Sequence, residues 1–292
     1  MFQNASADTD IRQRYVKVAL VGNPNSGKSS LFNSLTGLHQ KIANFPGVTV
    51  EKKIGHCRIY NSANGSATSF EVIDLPGTYS LYPKSPDERI PFEVLCDPEN
   101  ESHPDMVVLL VDGTNLKRSL FLASQVIDLK IPCIIALNMM DLVKKEGIDI
   151  QLDELERRLG VRILPINARN EIGIEELKQA LIHPIPVPEK DIFYTGDLSP
   201  KMLMSLRQAL KLNSNYAALQ IAHHIDAIED FNLLGYQKVN AREIVQVSGN
   251  DFENLKSYET LERYKVIQDI LVHSVHQGEK EKKSGFSKKI DM

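Results

Sequence analysis

Gly22-Asn23-Pro24-Asn25-Ser26-Gly27-Lys28-Ser29 follows the apolar run Val16 to Val21 and opens the helical pattern Ser30-Leu31-Phe32-Asn33-Ser34-Leu35. Strand, glycine loop and helix in that order make a phosphate-binding loop. Backbone N–H groups of the loop and of the first helical turn, through Ser30, converge on a polyphosphate where the helix dipole favours negative charge. Gly27 lets the backbone come close, and Lys28 neutralises the β and γ phosphates. Ser29 supplies the hydroxyl that such loops use as a Mg²⁺ ligand. The expected ligand is a nucleoside triphosphate with Mg²⁺.

Outward from this loop, short β-type runs alternate with helical patterns as far as Pro184. The runs are Val16 to Val21, Phe70 to Ile73, Met106 to Val111, Cys133 to Leu137 and Ile163 to Ile166, and helices read from Lys28, Leu116, Leu152 and Ile174. This alternation predicts an α/β fold, a mostly parallel sheet with helices on both faces. Cys57 to Tyr60 reads as a further strand, antiparallel to Phe70–Ile73 because the Gly65 turn between them is short. Gly37 and Gly160 stand where helix C-caps belong. Pro184, Pro186 and Pro188 break the pattern, and helical periodicity dominates beyond them. Ser199-Pro200 reads as N-cap and first residue of a helix carrying Met202, Leu203, Leu206 and Leu210. Leu219, Ile221, Ala222 and Ile225 mark a second helix, and Leu261 to Val275 a third. The expected organisation is a polar arm over 1–14, a nucleotide-binding domain over 15–184, a smaller all-α domain over 185–277 and a lysine-rich linker over 278–292.

With 292 residues and 42% hydrophobic content, the chain can bury one sizeable core and a second, smaller one. Its longest aliphatic run, Met106 to Val111, is too short to cross a bilayer, and no signal-peptide pattern precedes it, so the fragment is expected to be soluble. Cys57, Cys96 and Cys133 lack metal or disulfide spacing and read as reduced thiols, Cys133 in the core. A formal charge of -4 does not point to nucleic acid as a partner.

Two more motifs stand at strand ends. Asp74-Leu75-Pro76-Gly77 follows Phe70–Ile73, where a carboxylate can hold Mg²⁺ through water and the Gly77 N–H can sense the γ-phosphate. Asn138-Met139-Met140-Asp141 follows Cys133–Leu137, where Asp141 can accept from N1–H and the exocyclic amine of guanine. A site built to pair such donors rejects an analogue lacking them by about 10⁴ to 10⁵-fold, so Asp141 selects GTP over ATP.

In this order the three motifs resemble the first, third and fourth G motifs of Ras-like, translation-factor-class GTPases. The fuller resemblance is to the cytosolic N-terminal region of FeoB, the bacterial ferrous iron transporter family. It rests on Asn44-Phe45-Pro46-Gly47-Val48-Thr49-Val50-Glu51, on Asp74-Leu75-Pro76-Gly77-Thr78-Tyr79-Ser80-Leu81 and on methionine at 139. It implies a Ras-like G domain and a helical domain that stabilises bound GDP. Thr49 would be the switch I threonine that closes on Mg²⁺, and switch II would run from Asp74 through Ser85-Pro86-Asp87-Glu88. The implied setting is the cytoplasmic face of the bacterial inner membrane, where GTP hydrolysis regulates ferrous iron transport. The implied partners are the chain's own C-terminal transmembrane iron-permeation domain, small cytosolic Feo accessory proteins and further copies of the chain.

Two positions depart from the Ras-like pattern. Thr78 stands where the water-orienting glutamine would be, so intrinsic hydrolysis should be slow. The fifth motif reads Asn167-Ala168-Arg169, in which the Ala168 N–H is expected to meet the guanine oxygen. The missing charge between β and γ phosphates is assigned to K⁺, held by the Asn25 side-chain oxygen and by switch I carbonyls around Ala43 to Phe45, as in FeoB-like GTPases that carry this asparagine. The pairs His223/His224 and His273/His276 are read as ordinary helix histidines in preference to iron ligands. Lys280, Lys282, Lys283, Lys288 and Lys289 fit a segment close to a membrane. A soluble GTPase of RNA modification or ribosome assembly shares the G motifs and is the alternative reading, whereas an ATP-using P-loop enzyme is opposed by Asp141.

Overall fold

β1 (Val16–Gly22) is buried on both faces from Val18 onward, which is why it reads as an unbroken apolar run instead of an alternation. The computed structural model describes residues 15–37, 40–45, 50–225, 238–249 and 251–277. The arm over 1–14, Thr49 and the lysine-rich linker lie outside them. After β1 come α1 (Lys28–Thr36), β2 (Gln40–Asn44), β3 (Glu51–Tyr60), β4 (Ala67–Asp74), α2 (Pro86–Cys96), β5 (Met106–Asp112) and α3 (Leu116–Asp128). Then follow β6 (Cys133–Asn138), α4 (Met140–Lys145), β7 (Ile148–Ile150), α5 (Leu152–Leu159), β8 (Ile163–Pro165) and α6 (Ile174–Leu181). Beyond the prolines lie α7 (Pro200–Ala209), α8 (Asn215–His223), α9 (Lys238–Ser248), α10 (Phe252–Ser274) and β9 (Val275–Gln277).

The large sheet has the order β2-β3-β4-β1-β5-β6-β8. From β4 to β8 all neighbours are parallel, while β3 is antiparallel to both β2 and β4, as the Gly65 turn predicts for the β3–β4 pair. Leu20 pairs with Asp74, Gly22 with Leu110 and Asp112 with Asn138, so the loops after β1, β4, β5 and β6 leave from one edge. One sheet face packs on α1 and α6 through Leu31, Phe32, Leu35 and Leu177. The other face packs on α2, α3 and α5, and its core continues without a break into Leu203, Leu206, Leu219, Ile221 and Ile267 of the helical part.

Several elements differ from the sequence expectation. β2 was not read, because its exposed Ile42 and flanking polar residues carry no inward stripe at a sheet edge. α2 forms a helix where the sequence shows only a segment of switch II, because Pro91 inside it interrupts the helical signal. Ser199 does not cap α7: its backbone is left-handed (φ 46°) and its side chain makes no cap hydrogen bond, although Pro200 does start the helix. The third helix is longer than its apolar stripe, starting at Phe252 behind the Asp251 cap and ending at Ser274. Val275 and His276 turn into β9, which pairs with β7. His273 and His276 therefore do not share a helix.

A buried ionic group ties the two parts together. Arg263 on α10 donates to Asp128 at the end of α3 (2.8 Å) and to Glu259 (3.0 Å), and all three side chains are essentially inaccessible. Asp128 also accepts from the backbone N–H of Ile192 and Phe193, which pins the segment entering the helical part. Glu259 accepts from the hydroxyls of Tyr82 and Tyr216. Removing one member of such a group strands buried charge. Arg263→Ala should therefore lower unfolding free energy by about 3–5 kcal/mol in urea titration. A loss under about 1 kcal/mol would contradict the central role of this group.

Candidate nucleotide site

The loop between β1 and α1 is shaped by two left-handed residues, Asn25 (φ 63°) and Gly27 (φ 99°). Ser26 N–H donates to the Asn23 carbonyl (3.2 Å), and Leu31 N–H to the Gly27 carbonyl (3.0 Å), so the loop closes as α1 begins. Lys28 is nearly buried and curls back, donating to the carbonyls of Gly22 (3.3 Å) and Asn23 (3.4 Å). Burial lowers its pKa, while the charge of Asp74 opposes that shift. Asn25 and Ser29 are exposed, with their polar groups available to a ligand.

The loop after β4 runs beside the first. Leu75 N–H donates to the Leu20 carbonyl and Thr78 N–H to the Gly22 carbonyl, both at 3.3 Å. A Cβ at Gly77 would press on the Pro24 backbone at 3.0 Å and on Lys28 Nζ at 3.1 Å, so a side chain there would push the two loops apart by a few tenths of an ångström. Thr78 is buried and its hydroxyl donates to the Ser80 carbonyl (2.7 Å), which ties it to its own turn. Asp74 Oδ1 is buried without a hydrogen-bond partner, and burial raises the pKa of this carboxyl while Lys28 and then Lys53 lower it. Buried Asn23 Oδ1 and Ser26 Oγ are unpaired as well. The orphaned Asp74 oxygen, in the pocket that Ser29 also lines, fits a hard cation such as Mg²⁺, which Ser29 and Asp74 would hold.

On the base side, Asn138 joins two loops. Its Nδ2 donates to the Ser26 carbonyl (2.9 Å) and its Oδ1 accepts from the Ala168 N–H (3.0 Å). The Ala168 donor expected to meet the guanine oxygen is thus engaged by Asn138 here. Asn167 Oδ1 accepts from Asn170 N–H, which forms the turn, and Arg169 is exposed. Left-handed Met139 (φ 64°) turns the chain from β6 into α4 and leaves Asp141 exposed in the first helical turn. The fold thus gathers Gly22 through Ser30, Asp74, Gly77, Asn138, Asp141 and Asn167 through Arg169 along one sheet edge.

Thr49 falls outside the described residues. Asn44 pairs with Glu51 in the β2–β3 ladder, and Phe45 N–H donates to the Val50 carbonyl. Lys53, outside every motif, and Asp87, from the switch II segment, line the same pocket as Lys28, Ser29, Asp74 and Gly77. The strand pattern legible in the sequence covers only Cys57 to Tyr60, so Lys53 comes beside Asp74 only in the folded β3–β4 ladder. His223 and His224 pack against Tyr82, and His224 also against Phe92. Burial pushes both pKa values down to about 4. Among the described residues no cluster of three or more metal-ligating side chains occurs.

A glycine loop between the first strand and helix, an aspartate loop off β4 and an Asn-x-x-Asp motif off β6 define a P-loop fold of the GTPase class. Residues 16–181 match the family described as ferrous iron transport protein B, and the chain belongs to the N-terminal FeoB family. The Fe(2+) transporter FeoB of Leptospira biflexa is 34% identical over 269 residues, covering 89% of this chain and 38% of that protein. The chain thus spans well under half the length of this relative. The cytosolic domain of L. pneumophila FeoB has 31% identity and a TM-score of 0.70, covering 89% of this chain and all of that structure (100%). The T. maritima FeoB cytosolic domain in its GMPPNP form has 27% identity and a TM-score of 0.65, over 89% of this chain and 99% of that one. Among the described residues, no helix is long and apolar enough to cross a membrane.

A methyl group at Gly27 would fall 2.4 Å from Asn138 Nδ2, whereas one at Gly65, also left-handed, meets nothing within 4 Å. Gly65→Ala should cost about 1–2 kcal/mol from backbone strain alone. Gly27→Ala should cost about 2–4 kcal/mol, because the Asn138 hydrogen bonds are lost too. Equal costs in urea unfolding would show that Asn138 does not pack on the loop as described.

Proposed function

We propose that the chain binds guanine nucleotide with Mg²⁺, hydrolyses GTP slowly to GDP and phosphate, and regulates passage of ferrous iron through the membrane part of a longer transporter. The observation that carries this reading is the buried, unpaired Asp74 oxygen beside Lys28, in a pocket shared with Ser29 and Gly77. Lys28 and the loop N–H groups would hold the β and γ phosphates, and Ser29, Asp74 and Thr49 would hold Mg²⁺ in the triphosphate state. When bound, Mg²⁺ neutralises charge that develops on the phosphate oxygens. The Gly77 N–H follows the γ-phosphate, so its loss lets the loop after β4 move.

That loop leads directly to Leu81 and Tyr82. Leu81 N–H donates to Gln125 on α3 (2.9 Å), and Tyr82 donates to Glu259 on α10. Nucleotide state is thereby felt by the helical part, which we assign to 185–277 with the G domain over 15–184. Residues 278–292 then lead toward the membrane part, on the cytoplasmic face of the inner membrane. Forms of the T. maritima domain with GDP and with GMPPNP support the nucleotide reading.

Thr78, in place of glutamine, spends its hydroxyl proton on the Ser80 carbonyl, so another charge is needed to assist hydrolysis. K⁺ held by Asn25 and switch I carbonyls is the proposed source. Wild type should turn over GTP faster in KCl than in NaCl at matched ionic strength, and Asn25→Ala should lose the difference. Stimulation that survives in the variant would reject Asn25 as the ligand.

Guanine selection rests on Asp141. Asp141→Asn replaces one acceptor with a donor, so preference should pass from GTP toward XTP in competition against labelled GDP. Unaltered ranking of GTP and XTP would remove Asp141 from the base site.

A further inference from the structure

Lys53 stands directly across the β3–β4 ladder from Asp74. Side chains opposed in this way share a sheet face, with Cβ atoms about 4.5–5.5 Å apart. That face is the one covered by α1: Phe70 and Val72, in step with Asp74, pack with Leu31 and Phe32, as does Ile59, in step with Lys53. The N-terminus of α1 is the phosphate loop. Lys53 accordingly lines the pocket with Lys28, Ser29, Asp74 and Gly77, to which Glu51 and Asp87 also contribute. Its charge is felt by Asp74, yet no ion pair closes between them among the described residues. The neighbouring Lys52 faces the other way, over the Phe45 ring at 5.7 Å.

From this placement, and resting on the nucleotide reading above, we infer that Lys53 is a second phosphate-binding cation whose ammonium group contacts the γ-phosphate of Mg²⁺·GTP. Hydrolysis forms a bond from water to the γ-phosphorus and breaks the bond from that phosphorus to the β–γ bridging oxygen. The leaving GDP takes up the electron pair, and the water protons pass to phosphate and solvent. Negative charge is spread over the γ-phosphoryl oxygens on the way. P-loop enzymes commonly offset that charge with an arginine supplied by a neighbouring segment or partner, worth about 10³ to 10⁵ in rate. Lys53 supplies a cation from within the sheet itself, on a strand fixed by pairing on both sides, and adds to K⁺ without replacing it. GDP has no γ-phosphate, so the contact exists only in the triphosphate state.

The test compares wild type with Lys53→Met, which keeps the aliphatic stem, with Lys53→Arg, and with Arg58→Ala at the far end of β3 as a surface-charge control. Each is titrated with GDP and with GMPPNP at saturating Mg²⁺, and single-turnover GTP hydrolysis is followed in KCl. Lys53→Met should weaken GMPPNP about tenfold, leave GDP within about threefold and slow hydrolysis at least about tenfold. Lys53→Arg should restore most of both, and Arg58→Ala should resemble wild type. Equal weakening of GDP and GMPPNP, or normal hydrolysis by Lys53→Met, would overturn the γ-phosphate contact. A wild-type chain that binds neither nucleotide would overturn the nucleotide reading and this role with it.

Discussion

The amide of Asn138 is the constraint on which the site depends, because it joins loops that the chain itself never connects directly. One end bonds the Ser26 carbonyl in the phosphate loop and the other accepts from Ala168, while the β6 strand that carries it is buried throughout. A buried amide that loses either partner leaves polar groups unsatisfied at about 1–3 kcal/mol each. The phosphate side and the base side of the site are therefore held in one geometry. Parallel pairing of β4, β1, β5 and β6 sets the loop ends on a common edge, and Asn138 fixes how the loops lie there. Gly27 serves the same arrangement, since any side chain would occupy the place of Asn138 Nδ2.

The buried Asp128–Arg263–Glu259 group does at the rear what Asn138 does at the front. It holds α10 to α3, and through Tyr82 it holds the segment that leaves the Asp74–Gly77 loop. Buried charge of this kind adds little net stability compared with apolar packing, but it is unforgiving of displacement. A small shift of the loop after β4 must either carry Tyr82 and Glu259 along or break their hydrogen bond. Under the proposed function, this contact is the route by which the helical part would respond to the γ-phosphate and, by linkage, alter nucleotide affinity in return. β9 adds a second tie, because its pairing with β7 anchors the end of α10 to the segment just beyond α4, which carries Asp141.

Much of this was legible in the sequence because the parallel strands are buried on both faces and the phosphate loop has a fixed spacing. Val16–Gly22, Met106–Asp112 and Cys133–Asn138 left little room for another reading, and Gly65 announced the hairpin. The elements that escaped lack such signals. β7 and β9 are short strands of mixed polarity, β2 is an edge strand with an exposed isoleucine, and α2 carries a proline inside it. Ser199 looked like a cap from its place before Pro200, yet its left-handed backbone turns the side chain out of capping geometry. Site residues inside motifs were readable one by one. Lys53, the pocket position of Asp87 and the Tyr82–Glu259 contact were not, since each depends on tertiary placement, the last across 177 positions of sequence.

The central claim is that the aligned strand ends form a guanine-nucleotide site. Calorimetric titration of the chain with GDP, GTP, ADP and ATP in Mg²⁺ tests it most directly. The account predicts one saturable site for GDP and GTP, with ADP and ATP weaker by about 10⁴-fold or more because adenine leaves Asp141 without its donors. Comparable binding of adenine and guanine nucleotides, or no binding of either, would contradict it.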